Sequence, residues 1–134
     1  MKTKVNAKSI IQAGMKHIGT PYQFGAPSFQ VKTFDCSSFV QYVYGLHDVT
    51  LPRTSRQQAF IGQTVPVTEM KPGDLLFFTT PKRKKNKGIQ RIGHVAIYIG
   101  KNKILHTSRK ENKVSVADLD PYWRKVLLGV RRVL

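Results

Sequence analysis

The feature that most constrains this chain is a change of hydrophobic period near Gly62. Before it, apolar residues recur at helical spacing; after it, they come in short runs bounded by Gly, Pro and Asn. Ile10, Ile11, Met15 and Ile18 make a stripe that predicts a helix over Asn6 to Ile18, stopped by Gly19 and Pro21. Thr20 to Thr33 reads as a loop. Asp35 is a candidate N-cap for a helix running from Cys36 to Tyr44, with Phe39, Val40, Val43 and Tyr44 on one face and Gly45 at its end. Thr54 and Gln57 have capping-box spacing and open a short helix toward Phe60. Strands are predicted at Val65-Pro-Val67, at Leu75-Leu-Phe-Phe78 after Pro72-Gly-Asp74, and at His94-Val-Ala-Ile-Tyr-Ile99. Lys101-Asn102 is a hairpin turn into Lys103-Ile-Leu-His-Thr107. Lys113 to Val116 pairs next, and Val126 to Leu134 closes the chain. Helices first and strands second predict an α+β fold with N-terminal helices on a mostly antiparallel sheet.

A chain of 134 residues is one domain, residues 1–134. It holds a single cysteine, so no internal disulfide framework exists and one thiol needs a reason. No apolar run reaches the ~18 residues of a membrane-spanning helix. Met1-Lys2-Thr3-Lys4 is followed by no apolar stretch, so the sequence is expected to carry no secretory signal; a module cut from a longer secreted protein would look the same. Charge is the outlier, at +16. Eight cations and four acids precede Lys82, whereas fifteen cations and three acids lie from Lys82 onward. The densest run is Lys82, Arg83, Lys84, Lys85, Lys87 and Arg91. Such a surface attracts polyanions, or is simply a solvated loop.

Cys36 sits at the predicted start of a helix. Free amide groups and the helix dipole there favour a thiolate and can hold an oxyanion; the alternative is a small buried apolar residue. A thiol nucleophile needs a base. His17 lies late in the first helix and His47 in the loop after the Cys helix. His94 opens a strand, and His106 lies on the next. A hairpin turning near Gly100 pairs positions whose numbers sum to about 200, which sets His94 opposite His106 on one face. Cysteine, imidazole and a second polar group that orients it form the logic of an activated triad. Cys36, His94 and His106 also supply three possible zinc ligands, although no close-spaced ligand pair accompanies them.

Six segments carry a resemblance. They are Thr20-Pro-Tyr-Gln-Phe-Gly25, Phe34-Asp-Cys-Ser-Ser-Phe-Val40, Leu51-Pro-Arg-Thr-Ser55, Pro72-Gly-Asp-Leu-Leu-Phe-Phe78, Gly93-His-Val-Ala-Ile-Tyr-Ile-Gly100 and Ile104-Leu-His-Thr-Ser108. In that order, with Cys before both His, they resemble the catalytic domain of the NlpC-type cysteine peptidases, which cut bacterial peptidoglycan stem peptides. The resemblance spans about residue 6 to residue 134. It implies a papain-like fold, Cys36 as nucleophile, His94 as base and then acid, and His106 as orienting residue. Tyr22 matches an oxyanion or substrate residue. Asp35 and Ser37 match residues that in some relatives contact the substrate's amine end, Asp35 being otherwise a plain N-cap. Arg53 and Ser55 match a polar loop near the cleft. The residue after Asp-Cys-Ser is commonly Gly but here is Ser38, which predicts a slightly narrower cleft. The usual Gly-Gly is Gly25-Ala26, and the basic loop Lys82 to Arg91 is an elaboration placed to rim the cleft.

The resemblance implies hydrolysis of a γ-D-glutamyl bond to a diamino acid, without metal or cofactor, in an extracytoplasmic setting among anionic wall polymers. Poly-γ-glutamate is a second anionic polymer with such bonds. A CHAP-type amidase or endopeptidase is a rival enzyme, since it too places Cys before His. A non-catalytic polyanion or wall-binding module is the rival of another class; nucleic acid is not expected, because no recognised binding motif accompanies the basic run.

Overall fold

A computed structural model describes residues 6–134. Met1 to Lys4, read above for the lack of a leader, lies outside the described residues. Three helices precede the sheet: α1 (Ala7–Met15), α2 (Cys36–Gly45) and α3 (Ser55–Gln58). Each starts on a polar cap. The Asn6 side chain accepts from the Ser9 amide at 2.8 Å. Asp35 with Ser38, and Thr54 with Gln57, close reciprocal capping boxes. Each cap is worth about 1 kcal/mol. Helix α1 ends at Met15 rather than Ile18. Met15 and Ile18 are 39% and 45% exposed, so the end of the stripe packs on nothing that would extend the helix. Gly19, at φ +97°, then turns the chain away and donates to the Val114 carbonyl.

The strands are β1 (Gln63–Val65), β2 (Leu75–Thr79), β3 (Ile92–Gly100), β4 (Lys103–Ser108), β5 (Lys113–Asp118) and β6 (Leu127–Arg132). They form one antiparallel sheet in the order β1-β6-β2-β3-β4-β5. Strands β3 and β5 run two residues beyond the sequence reading, from Ile92 and to Asp118, and two other boundaries differ for a clear reason. Val65-Pro-Val67 is not a single strand, because Pro66 has no N–H for the ladder and instead heads a 3-10 turn over Val67–Glu69. Residues Pro121–Val126 form a helix, α4, so the last strand starts at Leu127. Asp120 caps α4 by accepting from the Trp123 amide at 3.0 Å, and Pro121 fits the first turn, where its missing donor costs nothing. The buried Asp74 carboxylate takes Arg132 in a two-pronged pair at 2.9 Å on each prong, fastening β6 beside β2.

The sheet is buried on both faces. Ile10, Phe39, Val40, Val43 and Tyr44 of α1 and α2 pack on Leu75, Phe77, Val95, Ile97 and Leu105. Leu76, Phe78, Ala96, Ile104 and Val130 line the other face, covered by Trp123 and Val126 from α4. That double burial explains why Leu75 to Phe78 is a continuous apolar run instead of an alternating one.

Irregularities in β3 place the site. The hairpin turn is Lys101-Asn102, both left-handed at φ +52° and +61°. Gly100 pairs with Lys103 but Tyr98 pairs with Ile104, so Ile99 is an extra residue and Ile97 faces Leu105. This register sets His94 diagonal to His106, not opposite as a plain turn predicts; the two-residue offset keeps both on one face. Phe78 pairs with His94 while Thr79 pairs with Ile92, which leaves Gly93 as a bulge beside His94. A Cβ at Gly93 would overlap the Thr80 side chain.

Candidate active site

Cys36 is the first residue of α2, where the backbone N–H has no intrahelical partner. The residue is half-buried. Burial pushes its thiol up from the ordinary value; the amides of Val95 and Ser37 and the charge of Arg109 pull the other way, while Asp35 adds to the rise. The sequence-based expectation of a resting thiolate is therefore reversed, since desolvation outweighs the helix terminus. The Val95 amide against the sulfur belongs to the residue after His94, so α2 delivers the thiol to the same stretch of β3.

His94 and His106 meet, Nε2 to Nδ1, at 2.8 Å. Both are buried, 5% and 3% exposed. Burial lowers both imidazoles. His94 falls well below the usual range, with His106 and Arg109 adding to the effect, and His106 falls to about 4. Trp123 roofs the pair: its ring stacks on His94 at 5.6 Å and meets His106 edge-on at 5.3 Å. Phe78 packs edge-on against Trp123 at 4.9 Å and lies 6.0 Å from His94. Among the described residues no hydrogen bond joins the Cys36 sulfur to either imidazole. Nor does any group of three or more His, Cys, Asp or Glu converge to hold a metal ion, so the three ligands counted for zinc do not come together in that way.

Asp35 anchors one wall of the Cys36 cleft. Its carboxylate accepts from Arg53 at 2.6 Å, the Gly25 amide at 3.2 Å, the Ser38 amide at 2.8 Å and the Ser37 hydroxyl at 3.4 Å. Burial alone would raise its pKa, but Arg53 and Ser38 win and hold it low. These donors fix the carboxylate in place, so that Asp35 builds this wall of the cleft. Arg53 also donates to the Ser37 hydroxyl at 2.8 Å and to the Ala26 carbonyl at 2.7 Å. The Ser38 hydroxyl turns back to the Asp35 backbone. It tightens the helix start and does not narrow the cleft. Ser55 contributes to the cleft wall. Gln58, fully buried, ties the wall together by donating to the carbonyls of Ser37 and Pro52.

The cleft holding Cys36, Asp35, Arg53 and Ser55 has a volume of ≈ 360 Å³. A second cleft of ≈ 380 Å³ shares Tyr22, Phe24, Arg83, Gly93 and Arg109 with it and continues to Lys82 and Asn86. The basic loop thus rims the cleft through Lys82 and Arg83. Tyr22 lines both clefts, with the Arg109 guanidinium 6.0 Å over its ring. His94 and His106 open onto a third hollow, bounded by Thr80, Arg109 and Trp123.

The remaining histidines lie elsewhere. His17 packs edge-on against Phe34 and Tyr42, and His47 leans on the Val43 carbonyl at 3.5 Å. Sequence reasoning missed Trp123, Arg109 and Gln58. Only Trp123 carried a signal, as the third residue after the capping Asp120.

Residues 19–132 match the model of the NlpC/P60 family. The gamma-D-glutamyl-L-lysine dipeptidyl-peptidase of Bacillus subtilis is 36% identical over 130 residues, covering 96% of this chain and 42% of that protein. The gamma-DL-glutamyl hydrolase of the same organism is 36% identical over 125 residues, covering 92% of this chain and 28% of that protein. A crystal structure of an NlpC/P60 family protein from Bacillus cereus superposes with a TM-score of 0.85 at 32% identity, over 98% of this chain and 41% of that one. The chain spans less than half the length of these relatives. A family match over most of its length, on a sheet-and-helix frame shared with a family structure, means that this chain belongs to the NlpC/P60 family.

Proposed function

We propose that this chain is a cysteine peptidase domain that hydrolyses γ-D-glutamyl-diamino acid bonds in peptidoglycan stem peptides. The observation that carries this reading is the buried 2.8 Å contact between His94 Nε2 and His106 Nδ1, beside a cysteine that opens a helix. With Nε2 engaged, Nδ1 is the His94 nitrogen left to take the Cys36 proton, and His106 fixes that tautomer by accepting from Nε2–H. Thiol and imidazole rest neutral. Proton transfer accompanies attack of sulfur on the carbonyl carbon.

The Cys36 amide and the Tyr22 hydroxyl hold the oxyanion, and the Arg109 charge favours it. His94 then gives its proton to the leaving amine as the C–N bond breaks. A water deprotonated by His94 attacks the thioester, and the acid product leaves with the Cys36 thiol restored. Ser37, Arg53 and Ser55 shape the acyl side. The names of the relatives support a γ-glutamyl bond. The strongly basic surface suits an extracytoplasmic enzyme working among anionic wall polymers. The gamma-DL-glutamyl hydrolase relative favours one second reading, cleavage of poly-γ-glutamate.

The test is digestion of purified peptidoglycan and poly-γ-glutamate by the wild type and Cys36→Ala, read by mass spectrometry. Fragments ending at γ-glutamate, produced by the wild type alone, are expected. A sugar-linked end freed at the lactyl amide would show an amidase. Binding of both polymers with no cleavage of either would leave a wall-binding module.

A further inference from the structure

Trp123 is the single tryptophan of the chain, and its ring touches both histidines that the proposed mechanism uses. It stacks on His94 with 5.6 Å between centroids and 30° between planes, and it meets His106 edge-on at 5.3 Å and 90°. Among the described residues no other aromatic ring outside the pair lies against both imidazoles. Tyr122 packs edge-on against Trp123 in turn, at 5.4 Å. Rings at these separations and angles attract one another and hold each other's planes.

The helix that carries Trp123 is fastened to the hairpin that carries the histidines. Asn102, in the turn between β3 and β4, accepts from the Leu119 amide at 2.8 Å and gives its side-chain amide to the Leu119 carbonyl at 3.1 Å. Arg124 of α4 donates to the Asn102 side chain. Leu119 is buried, and Asp120 caps α4 directly after it. At the other end Leu127 enters the sheet opposite Phe78. A helix of six residues has no stability of its own in water. These ties keep α4 in place, and with it the ring over the pair.

In the proposed reaction His94 takes and returns a proton without turning, because Nε2 stays on His106 while Nδ1 serves the sulfur. Water that reached the 2.8 Å contact would compete for the shared proton and free the ring to rotate. Both imidazoles border the third hollow, yet both are buried. The charged and titratable groups around them are Cys36 of α2, Arg109, Lys110 and Glu111 after β4, and Asp120 and Tyr122 at α4. Arg109 and Glu111 act on the pair in opposite senses. These groups act by charge, whereas Trp123 acts by contact.

We propose that Trp123 is a positioning residue: it holds the His94 ring in plane and keeps water from the His94–His106 hydrogen bond, so that His94 stays in the tautomer that receives the Cys36 proton. This role rests on the peptidase reading and adds to it a residue that acts through His94.

The experiment compares the wild type with Trp123→Phe, Trp123→Leu and Trp123→Ala on γ-D-glutamyl stem peptides, with folding checked by circular dichroism. Trp123→Ala is expected to lose about tenfold in kcat while KM changes by less than about twofold, because a loosened base is felt in the transition state. The acidic limb of its kcat/KM profile is expected to move up by about one pH unit, since uncovered imidazoles bind protons more readily. Trp123→Phe, which keeps a ring, is expected to recover most of the loss. Trp123→Leu fills the space without a ring face and is expected to fall between the two, which serves where Trp123→Ala does not fold. Histidine-labelled protein gives a readout independent of turnover. The proton between His94 and His106 is expected as a sharp, slowly exchanging NMR resonance at pH 7 in the wild type and Trp123→Phe, and broadened by exchange with water in Trp123→Ala and Trp123→Leu. An acidic limb and a resonance unmoved in the variants, with only the melting temperature lowered, overturn the role and leave the peptidase reading intact. So does a wild type without the protected proton, or a rise in KM at unchanged kcat, which would make Trp123 a substrate contact. Cleavage of no peptide by the wild type overturns the peptidase reading and this role with it.

Discussion

Cationic side chains line both clefts at Cys36, and the two sets do opposite things. On the Asp35 side, Arg53 is consumed: it holds the Asp35 carboxylate, the Ser37 hydroxyl and the Ala26 carbonyl within 2.8 Å. In the adjoining cleft, Lys82, Arg83 and Arg109 pair with no carboxylate, Arg83 and Arg109 lining the Cys36 cleft as well. Charge alone does not mark a binding surface. What distinguishes the two is whether the donors are already satisfied inside the chain. A satisfied arginine holds a loop in place; an unsatisfied one still has its hydrogen-bonding capacity for a ligand.

The largest effect that separates the two sides is expected from acid. On the His94 side both imidazoles are kept neutral by burial, with His106 at about 4. The unfolded chain binds protons near the ordinary 6.5, so it holds more protons than the folded chain between that value and the lowered ones. Stability is therefore full above pH 6.5 and lost as pH falls toward 4, by roughly 3 kcal/mol from His106 alone. Asp35 has the same sense in a lower window. Its lowered pKa adds stability above 3.8, which goes only as pH falls below that value. Urea unfolding at stepped pH should show a loss beginning near pH 6.5 that His106→Asn reduces and Asp35→Asn does not. Trp123→Ala, which uncovers the imidazoles, should narrow the window by raising their pKa values. A flat profile from pH 7 to 4.5 would contradict the burial argument.

Next in size is the Asp35 wall itself. Arg53→Ala leaves a carboxylate whose side chain is 13% exposed without its ionic partner. The expected cost is about 2 kcal/mol, or roughly 8 °C in melting temperature for a domain of this size. Arg109→Gln, on an exposed residue without a carboxylate partner, should move the melting temperature by no more than about 2 °C. Calorimetry on both variants makes the comparison direct. Equal shifts would mean that Arg109 is as structural as Arg53.

The sequence announces these two sides unequally. The Cys36 helix was legible because its signals are local: Asp35 at the cap, then Phe39, Val40, Val43 and Tyr44 on one face. The meeting of His94 with His106 was legible in parity, since side chains alternate along strands, but not in register. The extra residues Ile99 and Gly93 are set by pairing with β4 and β2, which no single strand reveals. Helix α4 was read as coil and strand although Asp120-Pro121 is a start signal, because six residues hold too little apolar period to detect. The set of donors around Asp35 was out of reach. Its partners Gly25 and Arg53 lie ten and eighteen residues away and converge only through the tertiary fold. The thiol's direction was misjudged for the same kind of reason, as a helix start is visible in sequence and desolvation is not.

The smallest expected effect concerns the rest of the basic loop. Lys84 and Lys85 are exposed and line neither cleft. Lys84→Gln/Lys85→Gln should shift stability by under about 0.5 kcal/mol, and should change KM for a short stem peptide by less than about twofold. A short peptide at Cys36 feels chiefly the charges within about a Debye length, roughly 8 Å at physiological salt, and Lys84 and Lys85 line neither cleft. An insoluble anionic wall touches the whole face, so the same double variant should release more readily from wall fragments as salt rises. The pair of measurements therefore divides the loop. If peptide KM rises as wall binding falls, the loop acts as one diffuse field. If wall binding alone falls, recognition of the scissile bond belongs to the clefts, and the outer lysines only concentrate the enzyme on its substrate.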